Sequence, residues 1–214
     1  MRLLALAVCW IASTQLVVAG DSDRPLIQPE DEFWAEQSPA EFRVRFTTSE
    51  GDFVVRVRRV LAPIGADRFY NLVRAGFYDD SRFFRVRQRY IMQFGIAGDP
   101  AVSAVWKDRE FNDDPVRSSN TRGAFTYAMT GPNTRTTQIY INLVDNKHLD
   151  EQGFAPLGEV VEGMDVVDKL YAGYGEEAGG GMRLGKQGMM FEGGNKHLDA
   201  AYPLLSKLIE AEIE

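Results

Sequence analysis

The sequence predicts a mainly β fold: a closed antiparallel β-barrel of about eight strands, capped by two helices and followed by an added C-terminal helix. Three observations predict it. Short runs alternate apolar and polar residues, beginning with Phe42-Arg43-Val44-Arg45-Phe46. Turn-forming residues separate those runs at short intervals. Within the strand-rich region only two stretches read as helices, one early and one late, which is the pattern of a barrel closed by helices. A chain of 214 residues is long enough for one domain with a real core.

The first nineteen residues read as a signal peptide rather than as part of that fold. Arg2 supplies a short positive region, Leu3 to Ala12 an apolar one, and Val17-Val18-Ala19 places small residues at a cleavage site before Gly20. A retained membrane anchor fits less well, because Ser13, Thr14 and Gln15 interrupt a stretch barely long enough to span. Cleavage would remove Arg2 and leave 23 basic against 31 acidic residues, a net charge of about −8. It would also remove Cys9, the only cysteine, so the mature chain is expected to have no thiol chemistry. Export by this leader implies a periplasmic, extracellular or secretory-lumen setting, with no integral membrane segment after cleavage.

The remaining elements follow in order. Residues 20–40 are rich in Asp, Glu, Pro and Ser without a sustained period and read as an acidic linker or a loosely docked arm. Residues 41–175 form the folded domain. Its first two strands, Phe42 to Phe46 and Phe53 to Val57, are joined as a hairpin through Ser49-Glu50-Gly51-Asp52. Pro63 opens a helix that Gly76 is placed to stop. Strands are predicted at Arg82 to Arg87 and Tyr90 to Phe94. A long polar connection from Gly98 to Asn120 follows, and strands resume at Ala124 to Met129, Gln138 to Leu143 and Leu157 to Val161. Gly163 precedes a second helix, Met164 to Tyr171. Residues 176–214 are read as a Gly-rich loop, Gly179-Gly180-Gly181, and a helical extension. In that extension Leu204, Leu205, Leu208 and Ile209 would share one face of a helix over Tyr202 to Ile213.

Several function classes lack support. The acidic balance and the absence of a basic stripe disfavour nucleic acid as a partner. There is no GxGxxG or P-loop, no GxSxG elbow, and His148 and His197 are not at metal-ligand spacing, so no cofactor or metal is expected. Asp79-Asp80 and Asp113-Asp114 are adjacent and loop-like, which suits turns better than acid–base pairs. An enzyme of this composition needs chemistry without a nucleophile or a proton shuttle.

Two segments carry the positive signal. Phe83-Phe84-Arg85 runs to Tyr90-Ile91-Met92-Gln93, and Gly131-Pro132-Asn133-Thr134 runs to Gln138-Ile139-Tyr140. Each sets polar donors among aromatic and aliphatic residues, which is costly to bury without partners. A shallow apolar pocket with a few fixed donors accounts for both. Phe83, Phe84 and Met92 are assigned to the core.

These segments are similar to the signature segments of cyclophilin-type peptidyl-prolyl isomerases. Leu149-Asp150 and the run Leu157-Gly158-Glu159-Val160-Val161-Glu162-Gly163-Met164-Asp165 extend the resemblance in the same order, over roughly Phe42 to Gly175. It implies an enzyme that rotates Xaa-Pro bonds in exported or secretory polypeptides, acting as a monomer on proline-containing chains. Arg85 would be the electrostatic residue and Gln93 would hold the substrate backbone. Tyr90, Ile91, Tyr140, Leu149 and Phe154 would line the proline pocket, with Gln138, Ala128 and Met129 along the groove. Phe94 stands where the family has glycine, which implies a narrowed or re-aimed groove. His148 replaces a common Trp, so binding of cyclosporin-like ligands does not follow from the resemblance. A non-catalytic module that binds proline-containing segments is the alternative, and a dedicated partner for the tail and the 98–120 loop is a third.

Overall fold

The computed structural model describes residues 25–180 and 187–214. The leader at 1–19, residues 20–24 and Gly181 lie outside the described residues. Nine strands build one antiparallel sheet: β1 (Glu41–Thr48), β2 (Gly51–Arg58), β3 (Ser81–Arg82), β4 (Arg85–Arg87), β5 (Ile91–Phe94), β6 (Ala124–Tyr127), β7 (Ile139–Asn142), β8 (Pro156–Glu162) and β9 (Lys207–Ile213). Their order across the sheet is β3-β9-β1-β2-β8-β6-β7-β5-β4. The two edges, β3 and β4, are separated in the chain only by Phe83 and Phe84, so the sheet curls until its margins are neighbours. Among the described residues no ladder joins β3 to β4. The expected closed barrel is therefore corrected to a curled, nine-stranded antiparallel sheet.

Local chemistry explains the elements. β1 and β2 pair in register from Glu41–Arg58 to Thr48–Gly51, and alternate residues of β1 face the core. Helix α1 (Pro63–Arg74) starts on Pro63 and buries Ala66, Phe69, Leu72 and Val73. The Asp114 carboxylate accepts from the Ile64 and Gly65 N–H groups at its open end. Gly76, at φ 71°, stops the helix, and the Phe77 N–H returns to the Leu72 carbonyl. Helix α3 (Met164–Lys169) follows Gly163. Here a Cβ would come within 2.4 Å of the Asp52 carbonyl oxygen.

Two segments differ from the sequence reading, and a third, the arm, follows one of its two alternatives. Within the 98–120 connection, α2 (Pro100–Trp106) forms behind Asp99, whose side chain caps Ala101 N–H at 2.8 Å. The arm before β1 is docked: two short 3-10 turns, Pro25–Ile27 and Glu32–Ala35, set Trp34 edge-on to Trp106 at 4.5 Å. The tail carries helix α4 at Gly188–Ala201, kinked at Gly194, followed by the strand β9. The helix expected over Tyr202 to Ile213 is thus corrected to a strand. A bulge opposite Thr47/Thr48 puts Leu208 and Ala211 on the same face, three residues apart, which imitates helical spacing. Leu204 and Ile209, assigned to the same apolar face, are more than half exposed.

The main core lies on one face of the curled sheet and includes Phe46, Phe53, Phe69, Phe83, Met92, Phe94, Phe125 and Ile139. A second cluster places Phe84 and Ile96 under Met190, Leu198 and Leu205, fastening α4 and the residues after it to the domain. Both phenylalanines and Met92 are core, as assigned. Asp199 on α4 forks onto the nearly buried Arg82, through Nε at 2.8 Å and Nη2 at 2.9 Å.

Candidate active site

Strand pairing alone sets the site's central row. Arg85 on β4 stands opposite Gln93 on β5, Gln93 opposite Tyr140 on β7, and Tyr140 opposite Thr126 on β6. Directly opposed residues share a face, and the alternate residues Val86, Met92, Ile141 and Phe125 belong to the core. The row therefore occupies the face away from the core. Phe94 falls on the core side, where it contacts Phe46, Tyr78 and Phe83 and is fully buried. The expectation that Phe94 narrows the groove is corrected by this parity.

Beside the row sits a separate apolar cluster: Ile91, Tyr140 and Leu149, with Tyr90, Ala128 and Phe154 packed against them. These are six of the seven apolar residues that the sequence assigned to the pocket and its border; the seventh, Met129, lies outside this cluster. The Tyr140 and Phe154 rings meet edge-on at 5.8 Å, and the Arg85 guanidinium lies 5.8 Å from the centre of the Tyr90 ring. Met129 and Gln138 line the adjoining groove with Gln93, Thr130, Thr134, Thr136 and Gln187. The Gly131–Thr134 turn forms its rim: the Thr134 hydroxyl accepts from the Thr130 and Gly131 N–H groups at 3.0 Å each. His148 is exposed and stacks with Tyr90 at 6.3 Å.

The polar groups are held in fixed directions. Arg85 Nη1 donates to Gln93 Oε1 at 3.1 Å, and Gln93 Nε2 donates to Gln138 Oε1 at 2.9 Å. A guanidinium only donates, so the Gln93 oxygen must face it and the Gln93 amide must point onward. Gly95, at φ 102°, allows β5 to run this close to the next strand, since a Cβ there would lie 2.6 Å from the Thr137 carbonyl oxygen. Any side chain at this position would push the two glutamine-bearing segments apart.

Asn120 was not singled out in the sequence, yet it buttresses the pocket. Fully buried, its Oδ1 accepts from Tyr140 Oη at 2.9 Å and from Asn142 Nδ2 at 3.1 Å. Its Nδ2 donates to Asp150 Oδ1 and to the Phe154 carbonyl, each at 2.8 Å. Burial pushes the Tyr140 phenol pKa up, so it remains a donor at neutral pH. Burial also opposes ionisation of Asp150, but hydrogen bonds from Ser119 and Asn120 hold its carboxyl below the ordinary value. That contribution is present above the unfolded carboxyl pKa and is lost as pH falls through the lower folded one. Asn120→Ala is expected to destabilise the fold by about 2–4 kcal/mol, since it leaves several buried partners unmet. Urea unfolding of the variant checks this.

Arg135 and Glu176 were also missed. Arg135, nearly buried, donates to the Gly153 carbonyl at 2.6 Å and pairs with Asp113, tying down the loop that carries Phe154. Glu176 pairs with Arg85, its Oε1 accepting from Nε at 3.0 Å and from Nη2. It is placed by the turn after α3, where the Gly175 carbonyl accepts from the Val86 N–H at 3.2 Å.

The site is thus a small apolar cluster on a curled antiparallel sheet with one oriented guanidinium beside it, an arrangement with room for an apolar group next to a polar backbone. The family model "Cyclophilin type peptidyl-prolyl cis-trans isomerase/CLD" matches residues 43–182, and the chain belongs to that family. It is 34% identical over 135 residues to peptidyl-prolyl cis-trans isomerase B of Escherichia coli, covering 59% of this chain and 82% of the relative. It is 33% identical over 136 residues to a peptidyl-prolyl cis-trans isomerase of Acinetobacter baylyi, covering 59% and 70%. A crystal structure of a Cryptosporidium parvum cyclophilin type isomerase shares the fold, with TM-score 0.57 at 19% identity over 81% of this chain and 98% of that one. A second crystal structure of that isomerase, in the presence of the dipeptide Ala-Pro, gives TM-score 0.51 at 23% identity, covering 59% and 82%.

Proposed function

We propose that this isomerase binds proline-containing polypeptides of an exported proteome in the Ile91–Tyr140–Leu149 pocket and accelerates rotation about the Xaa-Pro bond through Arg85. One observation carries the reading. A nearly buried guanidinium, oriented by Gln93, stands beside an apolar cluster that is separate from the main core.

Xaa-Pro rotation breaks no covalent bond; its barrier of about 18–20 kcal/mol comes from amide resonance. Twisting the bond returns the lone pair to the proline nitrogen, which then accepts a hydrogen bond that the planar amide cannot. A donor fixed near that nitrogen favours the twisted state over the planar one, and only such a difference accelerates the reaction. Tyr90, Ile91, Tyr140, Leu149 and Phe154 would hold the ring. Gln93 and Gln138 would steady the flanking backbone, and Ala128 and Met129 would border its path. The Cryptosporidium isomerase was crystallised in the presence of Ala-Pro, which makes that dipeptide a natural first probe.

Titration of isotope-labelled protein with Ala-Pro tests the pocket. The largest chemical-shift changes are expected at Ile91, Ala128, Tyr140, Leu149 and Phe154, and shifts confined to other surfaces would contradict the assignment. The export half of the proposal rests on the leader-like pattern of Arg2, Leu3 to Ala12 and Val17-Val18-Ala19. N-terminal sequencing of the protein from the exported fraction should begin at Gly20.

A further inference from the structure

The hydrogen bonds of the site form a chain, and both ends of that chain belong to the segment that follows helix α3. Glu176 grips Arg85, Arg85 donates to Gln93, Gln93 donates to Gln138, and Gln138 Nε2 donates to Gln187 Oε1 at 2.9 Å. Glu176 is 91 residues from Arg85 in sequence and Gln187 is 49 from Gln138. The segment between them is seated on the site at both described ends. Ala178 packs under Phe84, a Cβ on Gly179 would approach Arg85 Cβ to 3.5 Å, and Gln187 lines the groove itself.

From this we infer that Glu176 is a positioning residue for the isomerisation: it holds the Arg85 guanidinium in the orientation that presents its remaining N–H groups to the proline nitrogen. The inference rests on the isomerase reading above and deepens it. A guanidinium has five N–H donors. Glu176 takes the Nε and Nη2 edge and Gln93 takes one N–H of Nη1, which fixes the plane from two sides and, among the described residues, leaves two donors for a peptide. The Arg85 side chain is 5% exposed and the Glu176 side chain 38%, so the cation is buried while its clamp remains at the groove's margin. Without the carboxylate, a long side chain with several rotatable bonds would be held by one neutral amide, and the alignment that separates catalysis from mere binding would be lost. Glu176 also lies 3.8 Å from Arg87 Nη1, outside the row.

The test compares wild type, Glu176→Ala and Glu176→Gln as full-length mature proteins. Exchange spectroscopy on an Xaa-Pro tetrapeptide gives kcat, and chemical-shift titration gives the peptide Kd. Glu176→Ala is expected to lower kcat by about 10- to 100-fold, the range that small misplacement of a catalytic group produces, with Kd within about twofold. Glu176→Gln keeps one acceptor for Nε–H and is expected to fall between the two. It carries the test should the alanine variant not fold. A folded variant with wild-type kcat, or one whose Kd weakens by the same factor as kcat falls, overturns the positioning role while leaving the isomerase reading intact. A wild type no faster than buffer overturns both.

Discussion

Arg85→Ala is expected to lower kcat/KM for Xaa-Pro rotation by about 10²- to 10³-fold, the usual loss when one preorganised donor is removed from a transition state. The effect should fall on the chemical step, because the apolar cluster that holds the ring is built from other residues. Arg85→Lys is expected to be nearly as poor. Lysine keeps the charge but lacks the planar fork that Glu176 and Gln93 hold from two sides. The fold should survive either change. Arg85 belongs to neither large core cluster, and the Glu176 carboxylate left behind is already partly in water. Two-dimensional exchange spectroscopy on an Xaa-Pro peptide, alongside a thermal melt of each variant, separates lost catalysis from lost structure. A folded Arg85→Ala protein with wild-type kcat/KM would remove Arg85 from the mechanism.

The second large effect is on stability. Leu208→Ala is expected to cost about 2–5 kcal/mol, the range for emptying a fully buried leucine site, whereas Ile209→Ala should stay within about 0.5 kcal/mol as exposed substitutions do. Leu208 has no exposure and lies on β9, hydrogen-bonded between β1 and the edge strand β3. Ile209 is 53% exposed at the bulge. A helical tail would bury both residues on one stripe and make the two substitutions comparably costly. Urea unfolding of the pair therefore tests the strand register, and equal losses would contradict it.

These two residues also mark where sequence reasoning succeeds and where it stops. Arg85, Gln93 and Tyr140 were legible through the family resemblance of their segments, and the fold sets Arg85 opposite Gln93 and Gln93 opposite Tyr140. The same parity places Phe94 in the core, so the glycine-to-phenylalanine departure has no consequence for the groove. Leu204, Leu205, Leu208 and Ile209 misled by their helix-like spacing, whereas the strand and its bulge bury Leu208 and leave Ile209 exposed. Asp99-Pro100 carried a legible signal, an N-cap followed by proline at the first helical position, which marks α2 within an otherwise polar connection. Glu176, Asn120 and Arg135 had none. Each acts through contacts fixed only by the folded sheet, and nothing in the residues beside them distinguishes a clamp or a buttress from a solvated side chain. The arm was ambiguous for the same reason, since Trp34 has meaning only once Trp106 is across from it.

The central claim is that the groove beside Arg85 catalyses rotation rather than only holding proline. The most direct measurement is the cis–trans exchange rate of an Xaa-Pro peptide in the presence of a small molar fraction of the mature protein. Uncatalysed exchange takes tens to hundreds of seconds at 25 °C. Exchange brought into the subsecond range by the wild type, and returned towards the buffer rate by Arg85→Ala, is the expected result. A wild-type protein that shifts the peptide's resonances on binding but leaves its exchange at the buffer rate would contradict the claim and make the groove a binding module.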